Sequence, residues 1–258
     1  MPASPLVPPG EPLDGERRVR SLVGRFVLAG VIVIGFLLLI PVVFRAREEA
    51  RMVELINHLK QIGLAVHNYQ GTYECIPPAY QVGPSGAPWV SWRYIAMPFM
   101  ESIKFYDDFN FNLPWNTAEN LTISGMPMLF YAHPGPDGTR STRAELLAVV
   151  GPQTAMTGPV GVRLDQIRDG QSNTLLVGEV AESTVRWTEP RDLRFDAMDF
   201  RVNGLPKTNA LGSPYGGARV LMVDGSVRTL PNATHPSLVR ALLTIDGGEA
   251  VPGWDEVR

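Results

Sequence analysis

An uncharged apolar run, Phe26 to Phe44 (FVLAGVIVIGFLLLIPVVF), fills 19 consecutive positions of the 258-residue chain. As an α-helix rising 1.5 Å per residue it reaches about 28 Å, close to the roughly 30 Å hydrocarbon core of a bilayer. A helix buried in a soluble domain keeps a polar face, and this run has none. A secretory signal carries a shorter apolar stretch and then a small-residue cleavage site. Here the flank is Arg45-Ala46-Arg47-Glu48-Glu49. The run is therefore expected to be an uncleaved single-pass anchor, residues 26–44, with the lipid bilayer as its partner. Arg17, Arg18, Arg20 and Arg25 precede it, and Arg45, Arg47 and Arg51 follow. The positive-inside bias places the N-terminus in the cytoplasm and the C-terminal part outside it. Residues 1–25 read as a disordered basic tail, since the stretch MPASPLVPPGEPLDGE is built of Pro and small residues. Pro41 falls in the last turn of the span, where proline kinks a membrane helix rather than ending it.

Beyond the anchor the pattern changes. Met52, Leu55, Leu59, Ile62, Val66 and Tyr69 follow spacings of 3, 4, 3, 4 and 3, a one-sided helical stripe. Glu54, Asn57, Lys60, Gln61 and Asn68 occupy the remaining surface. With no proline between Val42 and Tyr69, anchor and stripe are expected to form one helix of about 45 residues, near 70 Å long. Gly71 and the Pro77-Pro78 pair are expected to stop it. A break near Pro41, giving two helices, is the alternative.

The rest, residues 45–258, reads as one globular domain. Apolar residues make up 45%, so the 25 glycines and 23 prolines signal many loops rather than low complexity. The formal net charge of -3 and the absence of a basic stripe argue against nucleic acid as a partner. The single Cys75 excludes an internal disulfide framework and a four-cysteine zinc site. It lies next to the helix end and reads as a packed thiol.

No motif assembles a catalytic set. His58, His67, His133 and His235 are scattered without metal-ligand spacing, and neither a nucleophile elbow nor a P-loop occurs. Asp224-Gly225, between the β-rich runs Arg219–Val223 and Ser226–Leu230, reads as a type I′ hairpin turn. Asp165 to Asn173 invites comparison with a calcium loop, but Ile167 and Leu176 stand where oxygen ligands belong. Asp169-Gly170 is instead a turn whose Ser172 and Asn173 can bond nearby backbone. Thr174–Val180 then reads as a buried strand, with Ser183–Thr188 returning beside it. Trp89, Trp92 and Trp115 are core and edge packing, or line a sugar or peptide groove.

Several of these stretches together carry a resemblance. Arg45 to Pro78 (RAREEARMVELINHLKQIGLAVHNYQGTYECIPP), Ser91-Trp92-Arg93, Met97-Pro98-Phe99, Leu113-Pro114-Trp115-Asn116, Leu147 to Ala155, Ile167 to Glu179, Gly216 to Leu230 and Leu242 to Gly248 stand in a recognisable order. They resemble bacterial proteins related to type IV pilins and type II secretion pseudopilins. More closely, they resemble a prepilin-like family of unknown function with a C-terminal His-x9-Asp-Gly processing-associated motif. The resemblance marks Asp169, Gly170, Ser172, Asn173, Thr174, Glu179, Gly216, Gly217, Asp224 and Gly225 as motif positions of structural role. There are departures. The cleavage signal, a Gly followed by Phe-Thr-Leu-x-Glu, is replaced by Val23-Gly24-Arg25-Phe26, so cleavage after Gly24 is not expected. Pro214 stands where the motif histidine belongs, and Ala132-His133-Pro134-Gly135 lacks a cysteine. Some pseudopilins hold calcium in a C-terminal loop, for which Asp246, Glu249, Asp255 and Glu256 could be recruited here.

The expected fold is α+β: a long transmembrane-plus-amphipathic helix packed on an antiparallel sheet of Leu146–Val150, Thr174–Val180 and Arg219–Leu230, with long loop insertions. The expected function is that of a non-catalytic pilin-like structural or assembly protein of a bacterial inner membrane. It would need no cofactor and would contact other pilin-like subunits or envelope proteins. The alternative is a membrane-tethered extracytoplasmic binding module that never enters a filament.

Overall fold

The computed structural model describes residues 14–100, 106–133, 139, 141–249 and 251. The chain divides into two units, Met1–Ala50 and Arg51–Arg258. A single helix, α1 (Asp14–Tyr73), contains Pro41 without a break. Residues 14–25, expected to belong to a disordered tail, are its first turns. The prolines end at Pro12, and nothing from Glu16 to Leu22 breaks a helix. The first 13 residues lie outside the described ones.

In the first unit the described side chains of the apolar run are largely exposed. Phe26, Val31, Phe36, Leu38 and Phe44 are all more than 60% exposed. Val23–Tyr73 is, among the described residues, the helix long and apolar enough to cross a membrane.

In the second unit the stripe of α1 enters the core. Leu55, Leu59, Ile62 and Val66 are exposed by 1% or less, while Met52 and Tyr69 are half-buried at its ends. The buried face is wider than the stripe, since His58, Gly63 and Ala65 are buried too. Gly63 sits at a close approach: a Cβ there would lie 3.1 Å from Leu221 Cδ1, which would have to give way slightly. The helix ends two residues after Gly71, which stays helical. The left-handed cap falls to Glu74 (φ 61°), whose amide donates to Gln70 O at 2.8 Å.

A small hairpin, β1 (Tyr80–Val82) and β2 (Pro88–Ser91), leads into the short helix α2 (Trp92–Ile95). Among the described residues a 3-10 turn (Met97–Phe99) and α3 (Ala118–Ser124) follow before the main sheet. That sheet has the order β5-β3-β4-β6-β7, with β3 Leu146–Val150, β4 Leu175–Glu179, β5 Leu193–Arg194, β6 Ala218–Met222 and β7 Val227–Leu230. Pairing is antiparallel from β3 through β7, with Leu146 opposite Glu179 and Leu221 opposite Val227. The edge strand β5 runs parallel to β3, an addition to the antiparallel sheet that was expected. A helix α4 (Pro236–Ala241) follows β7.

The strands β3, β4 and β6 are near-continuous apolar runs because the sheet is covered on both faces. Arg219 of β6, which contacts the Glu179 side chain, reaches the Met52 sulfur of α1 at 2.8 Å. Gly178 faces the other way, and a Cβ on it would strike Leu211 of the loop preceding β6. Ser183–Thr188 does not return beside β4, whose two neighbours are β3 and β6. It runs along the chain before β3 instead: the Ala144 amide donates to Val185 O and the Trp187 amide to Thr142 O.

Candidate functional site

The turn Asp169–Thr174 works as a clasp. Asn173 donates its side-chain amide to Asp169 O at 3.1 Å, and Thr174 Oγ1 donates to Gly170 O at 3.0 Å, which closes the turn. Ser172 is half-buried within it. The Asp169 carboxylate faces outward from the turn and accepts the amides of Gly247 (2.7 Å) and Gly248 (2.9 Å). Arg168 Nη1 meets Asp246 Oδ2 at 2.9 Å, and the amides of Arg168 and Asp169 both donate to Ile245 O. From its other side the turn receives the amides of Val223 and Asp224, through Thr174 O and Gln171 O. The Ile167–Glu179 block thus ties the Gly216–Leu230 hairpin to the Leu242–Gly248 run.

The hairpin turn differs from the type I′ turn expected of Asp-Gly. The Gly225 amide donates to Met222 O, the Met222 amide donates to Ser226 O, and positive φ occurs at Gly225 alone (84°). This is a three-residue loop, a type I turn over Val223 and Asp224 with a bulged glycine. One cause is visible: Asp224 Oδ1 accepts both the amide and the hydroxyl of Ser226, at 2.8 and 2.6 Å. The Asp224 carboxylate is thereby engaged within the turn.

Glu179, at the end of β4, lies in a buried charged cluster. Its Oε2 accepts the Arg219 amide at 3.0 Å and lies 3.5 Å from Arg219 Nη1, which also donates to Ser213 Oγ at 2.8 Å. Its Oε1 stands 2.7 Å from Nε2 of His133, although neither atom makes a hydrogen bond of good geometry. The His133 amide donates to Glu145 Oε2 at 2.6 Å. Burial pushes the Glu145 carboxyl above the usual carboxylate range, and the adjacent His133 draws it partly back. Gly216 and Gly217, both at positive φ, lead into β6, and the Gly217 amide donates to Asn232 Oδ1. Pro214 adjoins Ser213 on the approach to this strand, while Pro134 and Gly135 lie outside the described residues.

A second buried charge pair was not read from sequence. Asp192 Oδ1 accepts Arg93 Nη1 at 2.6 Å, Trp92 Nε1 at 3.1 Å and the Ala148 amide at 2.9 Å. Arg93 spends its other donors on the carbonyls of Trp187, Glu189 and Arg191. Burial pushes the Asp192 carboxyl up, and the guanidinium, indole and amide pull it back. Beside this pair opens a cavity of about 920 Å³, walled by Leu147, Val150, Pro190 and Leu193 with Tyr80 and Thr184. The three tryptophans do not share a groove. Trp92 is fully buried, while Trp89 packs over Gly83 and takes the Trp115 amide on its carbonyl.

Of the calcium candidates, Asp246 faces Arg168 and Glu249 takes a 3.4 Å bond from Thr244, while Asp255 and Glu256 lie outside the described residues. Among the described residues no three His, Cys, Asp or Glu side chains converge as a metal site would require. Cys75 is half-buried beside Gly161, and burial raises its thiol. Gly24 is exposed within α1.

Comparison with known proteins places one stretch. Residues 45–145 match the family described as Protein of unknown function (DUF1559). The match runs from the end of the apolar run to the residue before β3, so the clasp and the hairpin lie beyond it. No curated protein and no solved structure matches the chain.

Proposed function

We propose that this chain is a single-pass, pilin- or pseudopilin-like structural or assembly protein of a bacterial inner membrane, with its C-terminal unit outside the cytoplasm and no catalytic role. One observation carries the reading: a single helix is apolar all round from Phe26 to Phe44 and one-sided from Leu55 to Val66, where it forms part of a domain core. The match over residues 45–145 supports it, as does the resemblance of the sequence blocks to prepilin-like proteins, although Pro214 stands where their motif histidine belongs. A non-catalytic role fits the carboxylates of Asp169, Asp192 and Asp224, each engaged by amides, a guanidinium or a neighbouring hydroxyl. The partners proposed are lipid and other pilin-like or envelope subunits.

A second reading, a tethered binding module outside any filament, is favoured by one feature. Gly24 is followed by Arg25, and the apolar start of the span has no Glu with which a neighbouring subunit could pair.

Carbonate and salt extraction of membranes tests the anchor. The chain is expected to stay with the membrane, and protease added outside the inner membrane is expected to digest the C-terminal unit. Ile34→Arg should weaken insertion by about 2.5–3.5 kcal/mol. Recovery of the unaltered chain in the soluble fraction would overturn the proposal.

A further inference from the structure

The cavity beside the Arg93–Asp192 pair has the size of a small-molecule site: it encloses about 920 Å³, and such sites run from about 300 to 1,000 Å³. Its walls are mainly apolar, with Leu147, Val150, Val185, Pro190 and Leu193 among them. The charged side chains that line it are paired. Arg191 meets Glu189 at 2.6 Å, Arg194 meets Asp196 at 2.5 Å, and Asp192 is held by Arg93. An ionic ligand would bring an unmatched charge into this space at a large cost, so the cavity suits a neutral one.

Asp192 offers such a ligand a buried acceptor. The Arg93 guanidinium, the Trp92 indole and the Ala148 amide all reach its Oδ1. Among the described residues no group donates to Oδ2, which is nevertheless not sealed off from solvent. The side chain is 2% exposed, and the residue lines the cavity. Protonation of Asp192 would strip the fully enclosed Arg93 of its counter-charge, so Oδ2 is kept an acceptor. A buried carboxylate oxygen short of a donor carries a desolvation cost that a ligand N–H or O–H removes.

We propose that this cavity binds a neutral small molecule, with its apolar body between Leu147, Val150 and Leu193 and one N–H or O–H donated to Asp192 Oδ2. The site is independent of assembly and serves a filament subunit and a tethered module alike.

Indole and N-methylindole, which differ at the donor, test the site on the full chain held in nanodiscs. Indole is expected to shift the Ala148 amide and Trp92 indole N–H resonances saturably, and N-methylindole to bind about tenfold or more weakly. A shift that grows without saturating is partition into lipid and counts as no binding. Asp192→Asn keeps an oxygen for Arg93, Trp92 and Ala148 but turns the second position into a donor, so it should erase the preference for indole. Ala197→Trp, at an exposed position of the wall, should fill the mouth and abolish binding of indole. The proposal is overturned by the absence of saturable shifts, by equal binding of the two compounds, or by binding that survives in Ala197→Trp. A preference for indole that persists in Asp192→Asn overturns it as well. Should Asp192→Asn not fold, the two compounds and Ala197→Trp decide.

Discussion

Asp192 illustrates how single residues set this domain's tolerance to change. One carboxylate oxygen receives a guanidinium, an indole and a strand amide, and its side chain is 2% exposed. Removing one member of a buried pair strands the other, which costs about 3–5 kcal/mol. Asp192→Ala is expected to lower stability by that amount, whereas Asp196→Ala, in an exposed pair with Arg194, should cost under about 1 kcal/mol. Chemical denaturation of the two variants in detergent measures the contrast, and equal midpoints would refute it. Arg93 stood out in sequence as part of Ser91-Trp92-Arg93, but its partner lies ninety-nine residues away. No local pattern points across that distance. The same applies to His133, which spacing rules treat as isolated because the nearby Glu179 carboxylate sits on β4, far along the chain. The bonds of Asp169 and Asn173 were closer to legible, since turn chemistry acts over a few residues.

At the scale of elements, α1 is the organising piece of the second unit. Leu59→Ala and Ile62→Ala are each expected to cost about 2–5 kcal/mol, because both side chains are fully buried. Lys60→Ala, on the exposed face, should cost under about 0.5 kcal/mol. Urea unfolding of the full chain in detergent compares the three, and a common midpoint would detach the stripe from the core. The stripe and the strands β3, β4, β6 and β7 were legible because periodicity and unbroken apolar runs report burial directly. Ser183–Thr188 misled for the same reason. Val185 and Trp187 are buried while Thr184 and Arg186 are exposed, an alternation that marks extended chain without naming its neighbour. Gly63 gave no sequence signal at all, since its role depends on how closely Leu221 approaches.

For the whole molecule the outstanding contrast is between a processed subunit and a permanent tether. Arg25 places a bulky cation directly after Gly24, so co-expression with a prepilin peptidase is expected to leave the chain intact. The mass of the chain purified from membranes checks this, and a loss corresponding to the residues before Arg25 would move it onto the processed pilin route. The clasp bears on a different matter, the timing of maturation. Leu175, which opens the central strand β4, donates its amide to Leu242 O, and Asp169 waits for Gly247 and Gly248. Contacts between residues so distant along the chain are the slow ones to form. A nascent chain therefore cannot close the clasp before Gly247 and Gly248 have been made. Until then the turn at Asp169 keeps its own closing bonds, from Asn173 and Thr174, and waits for the pair that joins it to the far end of the unit.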